Sequence, residues 1–496
     1  MSQQHTFLTL KVVLPRQLNK QLSHMTTELT TPYVMLHLGV GSFHRAHQAL
    51  YIHNLQTSGD RSWQLAGGNI RADMADTITS LAVQHGEYTL ETITPAGVHD
   101  FTRIKAIHQV IPFEPTLAAL IAAAAKPTTR IISFTVTEAG YYLDAKNVLD
   151  TSINDVATDL ELARQHAPGS TIYGALTAIL RQRMLFNSGQ VTLLNCDNLR
   201  HNGDRSRSGL LQFITLLGDT DLLAWVNANT TSPNAMVDRI TPRPTADVAE
   251  RVFNATGWAD AVPVMGESFI QWVIEDNFCA GRPAWEKVGV EMVTSVAPYE
   301  EAKIRLLNAA HSCIAWAGTL VGYQYIHEGT HDAAIRKFAF DYATDDVIPV
   351  LNTQEKPSPI DLAAYRDVVL DRFGNPAICD TNQRVAMDGY SKIPGFITPT
   401  IRERLARGES IASVSILPAL FLAYLQRWHK GQITYIYQDQ AMNVDAAHAM
   451  CDATDPIAAY CTDAVLWGEL ANDPRLVAAM RQAYQQVTNF IKNHKL

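Results

Sequence analysis

The chain has 496 residues, of which 47% are apolar and 18% charged, a balance that excludes a wholly disordered chain and suffices for two or three folded domains. Lys and Arg total 40 against 49 Asp and Glu, giving a net charge of -9, so the chain as a whole lacks the basic surface that a nucleic acid or an anionic membrane attracts. We expect neither as a partner.

The N-terminal segment, residues 1–30, is predicted to be an extension of the folded protein. It lacks a charged region followed by an apolar stretch and a small-residue cleavage site, so we expect no signal peptide. The six cysteines form no CxxC pair, which indicates neither a zinc ribbon nor a disulfide framework. A reducing, cytoplasmic location is therefore expected.

The next segment, residues 31–297, is predicted to be a dinucleotide-binding domain of the Rossmann type. A strand within 33–41, a helix over 42–56 and a strand within 63–70 form the opening βαβ unit of a parallel, doubly wound sheet. Further strands are predicted within 129–136 and 190–198, where near-continuous apolar runs are typical of strands covered on both faces. Between them, helical patterns occupy 115–126 and 174–186.

The C-terminal part, residues 298–496, shows apolar spacing near 3.6 with few strand-like runs and is predicted to be a helical domain. Its longest apolar stretch, residues 411–425, contains two serines and a proline. It is shorter than the roughly 20 residues of a membrane span, so a buried helix is predicted. The predicted fold class is α/β, with a Rossmann-type doubly wound sheet domain followed by a mainly α-helical domain and a cleft between them.

A glycine-rich turn follows the first predicted strand. Gly39 and Gly41 allow a tight turn and a close approach to a pyrophosphate, and the amides of Ser42 and Phe43 open the next helix toward it. His44 replaces the third glycine of the usual GxGxxG pattern. We predict that these five residues bind a dinucleotide, although a purely structural turn is the alternative.

The end of the second predicted strand offers two residues for the adenosine ribose. Asp73 suits the 2'-hydroxyl of NAD, whereas Arg71 suits the 2'-phosphate of NADP. We predict NAD as the cofactor. The alternative is that Arg71 and Asp73 simply form an ion pair on the surface.

A polar cluster interrupts the first helix of the C-terminal part. On a regular α-helix Lys303, Asn308 and His311 fall within an arc of about 140°, so the three side chains can face one cleft. A lysine that accepts a proton near neutral pH needs its pKa lowered by burial or by a neighbouring cation such as Arg305. The alternative is a solvated Lys303, with Asn308 and His311 as ordinary polar groups between packed domains.

Asn198 stands at the carboxyl end of the strand predicted within 190–198, where open α/β sheets place their sites. We expect Asn198 to face Asn308 as an amide pair. The two amides and Lys303 then belong to one site.

These elements together resemble the polyol-specific long-chain dehydrogenase and reductase family, which includes mannitol 2-dehydrogenases, fructuronate reductases and D-arabinitol 4-dehydrogenases. The resemblance runs from about residue 34 to the C-terminus. The matching stretches are 39–49, 135–142, 193–203, 233–244, 266–278, 303–311 and 382–394.

The resemblance implies a role for each residue of the site, without a metal. Lys303 is the general base, Asn198 and Asn308 stabilise the developing alkoxide, and His311 orients the polyol. The remaining hydroxyls are bound by Asp238, Arg384 and Lys392. Without the resemblance, Asp238 could simply pair with Arg239, and Arg384 and Lys392 could form a solvated helix face.

The resemblance also implies NAD-dependent oxidation of a polyol to a ketose, with D-arabinitol to D-xylulose as the leading expectation. A mannitol dehydrogenase or a sugar-acid reductase is the alternative, since Arg384 and Lys392 could hold a carboxylate. A more remote alternative is a nucleotide-binding protein without catalytic activity. The expected partner is the small polyol or ketose alone, and the working expectation is a monomer.

Residues 327–331 match HExxH, the zinc peptidase motif. Such a site needs both histidines on one continuous helix. Gly329 disfavours a helix interior and Thr330 is suited to cap the following helix, so the motif is predicted to straddle a helix boundary. We therefore expect no zinc site there. His44 and His47 are likewise expected to pack within the glycine turn.

Overall fold

The computed structural model describes residues 31–144 and 146–494. The predicted N-terminal extension, residues 1–30, lies outside the described residues. Within them, strands and helices alternate up to residue 293, and helices follow. The strands are β1 (Tyr33–Leu38), β2 (Trp63–Gly68), β3 (Tyr88–Ile93), β4 (His99–Ile104), β5 (Ile107–Ile111), β6 (Thr129–Phe134), β7 (Val191–Asn195), β8 (Thr230–Thr231), β9 (Ala235–Asp238), β10 (Val264–Glu267), β11 (Gln271–Glu275) and β12 (Glu291–Val293).

A six-stranded sheet in the order β5-β2-β1-β6-β7-β8 forms the centre of the first part, and all its neighbouring strands are parallel. Successive residues of β1 point to opposite faces, so Met35 joins one apolar core and Leu36 the other. This double burial explains the continuous apolar strands, and the predicted parallel, doubly wound sheet is confirmed.

Helices cover both faces of this sheet. They are α1 (Ser42–Ala46), α2 (Gln48–Thr57), α3 (Ala75–Val83), α4 (Ala118–Ala124), α5 (Asn154–Arg164), α6 (Ile172–Leu185), α7 (Asn202–Leu217), α8 (Thr220–Asn229) and α9 (Ala246–Thr256). The predicted helix over 42–56 is two helices, because the backbone breaks at His47, which has φ -120° and ψ -85°. Short 3-10 turns occupy Glu138–Tyr141 and Trp285–Val288.

Two small sheets flank the central one, in the orders β10-β3-β4 and β12-β11-β9. These sheets could not be predicted from the sequence, because β9 to β12 have only three to five residues each and β4 is largely exposed. They matter to the site, since Asp238 ends β9 and Glu267 ends β10.

The second part is helical, as predicted. Its α-helices are α10 (Ala297–Ala302), α11 (Ala309–Leu320), α12 (Ile326–His331), α13 (Ala333–Asp341), α14 (Ile348–Leu351), α15 (Leu362–Phe373), α16 (Asn382–Ala386), α17 (Gly389–Lys392), α18 (Thr398–Ala406), α19 (Ile416–His429), α20 (Val444–Asp452), α21 (Pro456–Cys461), α22 (Ala464–Trp467) and α23 (Pro474–Asn493). Three π-helical segments join successive helices, namely Lys303–Asn308, Tyr342–Val347 and Ile393–Ile397. Further 3-10 turns occupy Pro376–Ile378 and Gly468–Leu470.

The core of the helical part centres on α11 and α19. The apolar stretch 411–425 is buried as predicted, although its helix begins only at Ile416. Helix α11 lies very close to α16 at Gly318, where an added Cβ would stand 2.7 Å from Nδ2 of Asn382. Of the helices in residues 31–144 and 146–494, none is both long enough and apolar enough to span a bilayer.

Candidate active site

A cavity of about 690 Å³ lies between the sheet part and the helical part. Most of the predicted catalytic and substrate residues line it, together with one residue of the glycine turn. These lining residues are Phe43, Asn198, Asp238, Lys303, Asn308, His311 and Arg384. The structure thus brings together side chains that are far apart in the sequence.

Lys303 is the first residue of the π-helical segment and its side chain is buried at the cavity. Its Nζ donates to Oδ1 of Asn198 at 2.5 Å and to the backbone carbonyl of Val237 at 2.6 Å. The alternative of a solvated surface lysine is therefore wrong. Both acceptors lie in the sheet part, so the lysine reaches across from the helical part to the ends of β7 and β9.

Burial lowers the pKa of Lys303 below its ordinary value, because a charged ammonium loses hydration there. The carboxylate of Asp238 opposes this effect, the guanidinium of Arg372 adds to it, and Glu300 opposes it more weakly. Burial, one of the two expected causes, is thus the main one, and the cation that adds to it is Arg372 instead of the example Arg305. Arg305 is held in ion pairs with Glu301 at 2.7 Å and Glu403 at 2.8 Å.

The π-helical segment changes the spacing that the sequence predicted. Its hydrogen bonds run from residue i to i+5, so Lys303 and Asn308 stand about one turn apart instead of on a regular α-helix. His311 follows in the first turn of α11. All three side chains line the cavity, so the predicted convergence holds although the helix type differs.

The two amides do not form the predicted pair. In the described residues no hydrogen bond joins Asn198 to Asn308, and the oxygen of Asn198 accepts from Lys303. An amide whose oxygen is engaged in this way still has its NH2 group as a donor. Because both amides line the cavity, each can donate to a ligand oxygen there.

Asp238 belongs to a buried cluster of charged side chains that was not predicted from the sequence. Its carboxylate accepts from Nη1 and Nη2 of Arg372 at 2.7 and 3.0 Å, and the same guanidinium bonds Glu267 through Nε at 2.9 Å and Nη2 at 2.6 Å. The alternative pairing of Asp238 with Arg239 is wrong, because Arg239 donates to the carbonyls of Ala46 and Glu267. Only the resemblance, through residues 266–278, pointed toward Glu267.

Burial would raise the pKa of Asp238, but Arg372 and Lys303 outweigh it and hold that pKa below its ordinary value. Asp238 is therefore ionised at neutral pH. It presents an acceptor at the cavity while its charge is balanced from behind by Arg372.

A second polar group on the cavity wall consists of His311, Asp380 and Arg384. Nε2 of His311 lies 3.3 Å from Asp380, and Arg384 binds the same carboxylate through Nε at 2.6 Å and Nη2 at 2.5 Å. The His311 ring stacks on Phe373 with centroids 4.2 Å apart. Burial lowers the pKa of His311 although Asp380 raises it, so the imidazole is neutral at pH 7.

Arg384 and Lys392 lie on separate helices, α16 and α17, so the alternative of one solvated helix face is wrong. Lys392 does not line the cavity. Its Nζ donates to the carbonyl of Val385 at 2.6 Å, and burial lowers its pKa to about 8. Lys392 therefore holds the last turn of the helix that carries Arg384.

The glycine turn fits a dinucleotide phosphate. A Cβ built on Gly39 or Gly41 meets no atom within 4 Å, so the backbone there is open to a ligand, and Gly39 has φ +109°, which favours glycine. Hydrogen bonds from the Gly39 amide to the Gly68 carbonyl at 2.7 Å and from Val40 to Asn69 Oδ1 at 3.1 Å fix the turn against β2. Helix α1 has no side-chain cap at its N-terminus, which leaves its first amides for a ligand.

His44 contributes to this turn only through its backbone. Its ring is buried and stacks on His37 with centroids 3.6 Å apart, pointing into the protein. Nε2 of His47 lies 2.9 Å from the Gln271 carbonyl, so this ring also packs inside, as expected.

Arg71 and Asp73 do not form the surface pair that was the alternative. Arg71 donates to the Ser170 carbonyl at 3.0 Å and the Tyr142 hydroxyl at 2.8 Å. Asp73 lies exposed just beyond β2, on the same side as the glycine turn. A carboxylate suits a ribose hydroxyl there, whereas Nε and Nη2 of Arg71 are already bound to Ser170 and Tyr142.

The HExxH segment lies within a single helix, so the predicted helix boundary inside it is wrong. Helix α12 contains all five residues, and the following helix is capped by Asp332 instead of Thr330. Glu328 accepts from the amides of Gln324 and Tyr325 at 2.8 and 2.7 Å, which makes it a helix cap. The part of the chain that the structure describes contains no group of three or more His, Cys, Asp and Glu side chains suited to a metal ion.

An open glycine turn on a parallel sheet, with a buried lysine and two amides at an adjoining cavity, defines the class of two-domain, dinucleotide-dependent dehydrogenases. The model of the mannitol dehydrogenase Rossmann domain matches residues 34–287, and that of the mannitol dehydrogenase C-terminal domain matches residues 295–488. The chain belongs to the mannitol dehydrogenase family, as the resemblance predicted.

Three relatives are similar to this chain over 79% to 93% of its length. A D-arabinitol 4-dehydrogenase of Ralstonia nicotianae is 57% identical over 92% of this chain and 96% of its own length. A D-arabinitol 4-dehydrogenase of Klebsiella pneumoniae is 50% identical over 93% of this chain and 100% of its own length. A mannitol 2-dehydrogenase of Cereibacter sphaeroides is 38% identical over 79% of this chain and 80% of its own length.

Two solved structures share the fold over 93% of this chain and 94% of their own. A substrate-free D-sorbitol dehydrogenase has a TM-score of 0.84 at 30% identity. The Pseudomonas fluorescens mannitol 2-dehydrogenase, solved as a ternary complex with NAD and D-mannitol, has a TM-score of 0.77 at 34% identity. The predicted fold class is thereby confirmed.

Proposed function

We propose that the protein catalyses the NAD-dependent oxidation of D-arabinitol to D-xylulose and the reverse reduction. The observation that carries the proposal is the buried amine of Lys303, held 2.5 Å from the Asn198 amide at a cavity reached by the glycine turn. Identities of 57% and 50% to proteins named D-arabinitol 4-dehydrogenase support the choice of polyol.

The cofactor site is formed by the turn after β1. Gly39 and Gly41 let the pyrophosphate approach the backbone, the amides of Ser42 and Phe43 bind it, and Asp73 binds the adenosine ribose. NAD, when bound, supplies the hydride acceptor for the oxidation. Phe43 also lines the polyol cavity, so the two binding sites adjoin at this residue.

Lys303 removes the hydroxyl proton of the polyol. Burial lowers the pKa of its amine, so the neutral form that accepts this proton is reached at a lower pH than in an exposed lysine. The NH2 groups of Asn198 and Asn308 donate to the same oxygen and stabilise its negative charge as the proton leaves. In the reverse direction the protonated lysine returns the proton.

The remaining hydroxyls are held by the cavity wall. The carboxylate of Asp238 accepts from one hydroxyl. Neutral His311, whose Nε2–H faces Asp380, accepts from another through Nδ1, and the guanidinium of Arg384 donates to a third hydroxyl. Asp380 orients both His311 and Arg384, and Lys392 acts by holding the helix that carries Arg384. Because Arg384 is already paired with Asp380, a polyol suits this site better than a sugar acid.

Three further assignments belong to the same proposal. Residues 31–297 form the dinucleotide-binding domain and residues 298–496 the substrate domain. A cytoplasmic location agrees with the cysteines, which are all free and of which three are buried. The protein acts as a monomer, and size-exclusion chromatography with light scattering tests that state.

A turnover screen tests the proposal. Purified protein is assayed at 340 nm with D-arabinitol, D-mannitol, D-sorbitol and a hexonate, each with NAD and with NADP. We expect the highest kcat/KM for D-arabinitol with NAD, and D-xylulose as the product by chromatography. Lys303→Met is the matched control for contaminating activity. No absorbance rise with D-arabinitol and NAD at any pH overturns the proposal. A preference for oxidising D-mannitol or the hexonate assigns the protein to the alternative substrate class.

A further inference from the structure

Arg372 joins the two parts of the protein behind the cavity. It stands near the end of α15 in the helical part, and it bonds both carboxylates that end β9 and β10 in the sheet part. Each carboxylate accepts hydrogen bonds from two N–H groups of the guanidinium. The guanidinium carbon Cζ lies 3.9 Å from the ring centroid of Phe269. Arg372, Asp238 and Glu267 are all buried, so water does not screen their charges.

These charges lie next to the proposed base. Nζ of Lys303 donates to the carbonyl of Val237, the neighbour of Asp238 in β9. The charges of Asp238, Arg372 and Glu300 act on the Lys303 amine, and the charge of Lys303 acts on the buried ring of His47. The buried guanidinium of Arg239 donates to the backbone carbonyl of Glu267. Lys303, Arg372, Asp238 and Glu267 thus belong to one buried group of charges.

We propose that Arg372 is a positioning residue for polyol oxidation, which orients Asp238 toward the cavity and sets the proton affinity of Lys303, with Glu267 holding the guanidinium in place. The inference rests on the proposed function, because it concerns the lysine base of that reaction. A lysine at position 372 lacks the planar fork that binds two carboxylates at once, so arginine is specifically suited to this place.

The arrangement predicts that removing Arg372 and removing the charge of Glu267 shift the pKa of Lys303 in opposite directions. Without the guanidinium, the negative charge of Asp238 acts on Lys303 uncompensated, so the ammonium is stabilised and its pKa rises. Without the charge of Glu267, the positive charge of Arg372 is less compensated, so the pKa of Lys303 falls. A residue that serves packing alone has no reason to produce two shifts of opposite sign.

The test compares Arg372→Met and Glu267→Gln with wild type and with Arg336→Met. Arg336 is the control because it pairs with Asp371 on the surface of the same region. The pH profile of kcat/KM for D-arabinitol is measured at saturating NAD, with melting temperature as the measure of folding. We expect the midpoint to move alkaline by about one pH unit in Arg372→Met and toward acid in Glu267→Gln. Arg336→Met keeps the wild-type midpoint.

A second measurement reports the amine without turnover. Competitive labelling with trace acetic anhydride, read by mass spectrometry of the peptide containing Lys303, gives the pH at which the amine becomes reactive. The same opposite shifts are expected there. Glu267→Gln retains the shape of Glu267 and one acceptor oxygen for Nη2 of Arg372 and the Ile240 amide, while it loses the charge and the bond from Nε. It therefore decides the question even if Arg372→Met does not fold. Folded Glu267→Gln with wild-type midpoints in both measurements overturns the inference, whereas a wild-type protein that oxidises no polyol overturns the proposed function instead.

Discussion

Nζ of Lys303 lies 2.5 Å from Oδ1 of Asn198, although 105 residues separate them in the sequence. The contact joins the start of a π-helical segment to the loop after β7, so it exists only when the two parts of the protein are packed together. It also fixes the orientation of the amide, since the oxygen faces the lysine and the NH2 group remains for the substrate.

Lys303→Met removes the proposed base while retaining the length and apolar volume of the side chain. We expect kcat/KM for D-arabinitol to fall by about 10²- to 10⁴-fold, the usual contribution of a general base. Lys337→Met, at an exposed lysine paired with Asp341, should retain wild-type activity. Steady-state kinetics measure both, and activity of Lys303→Met within a few-fold of wild type contradicts the assignment.

The pH dependence follows from the lowered pKa of Lys303. Oxidation needs the neutral amine, so its rate rises as pH increases through that pKa and levels above it, whereas reduction needs the ammonium and falls over the same interval. Asn198→Asp places a carboxylate beside the ammonium and should move both midpoints to higher pH. Rate profiles in each direction test this, and midpoints that fail to move together rule out a shared group.

Asn308→Ala removes one donor to the developing alkoxide. Because that bond strengthens as charge accumulates, we expect kcat to fall by about 10²- to 10³-fold with little change in KM. Asn489→Ala, on the exposed side of α23, is the comparison. An effect on KM alone would mean that Asn308 binds the polyol without acting in the transition state.

Arg384→Ala should weaken polyol binding more than it slows the chemistry. A hydrogen bond to a charged group contributes about 1.5–3 kcal/mol, so KM for D-arabinitol should rise roughly ten- to hundredfold. Arg481→Ala, which breaks an exposed pair with Asp455, serves as the comparison. Unchanged KM with a lower melting temperature would assign Arg384 to structure through Asp380.

Gly41→Ala tests the cofactor turn. Gly41 has φ -68°, which any residue adopts, and an added Cβ meets no protein atom within 4 Å. The protein should therefore fold normally while the methyl group obstructs the pyrophosphate and raises Kd for NADH, measured by fluorescence titration. Gly395→Ala has equal space away from the turn and should bind NADH like wild type. Unaltered NADH affinity in Gly41→Ala would remove this turn from the cofactor site.

The large elements of the fold could be predicted from the sequence, because β1, β2, β6 and β7 are buried on both faces and therefore read as apolar runs. The small sheets could not, since β9 and β10 have four residues each. The π-helical segment was also hidden, because its residues have the same apolar spacing as an α-helix over so short a length.

Site residues could be predicted where they form a local sequence pattern. Contacts between residues that are far apart in the sequence could not. The glycine turn and the Lys303, Asn308 and His311 spacing are both local. The partner of Asp238 is Arg372, which lies 134 residues away in the sequence. Nothing in the local sequence shows that Asp238 pairs with Arg372 instead of with the adjacent Arg239. Lys392 differs again, since the resemblance implied substrate binding, whereas its ammonium donates to the Val385 carbonyl and it does not line the cavity.

Gly318 shows how a position without a side chain shapes the pocket from a distance. Its hydrogen atom lets α11 rest directly on Asn382, two residues before Arg384. A methyl group there has to displace the Asn382 amide from the Tyr323 carbonyl that it binds. The packing of the helix that carries Arg384 thus depends on a glycine that does not line the cavity.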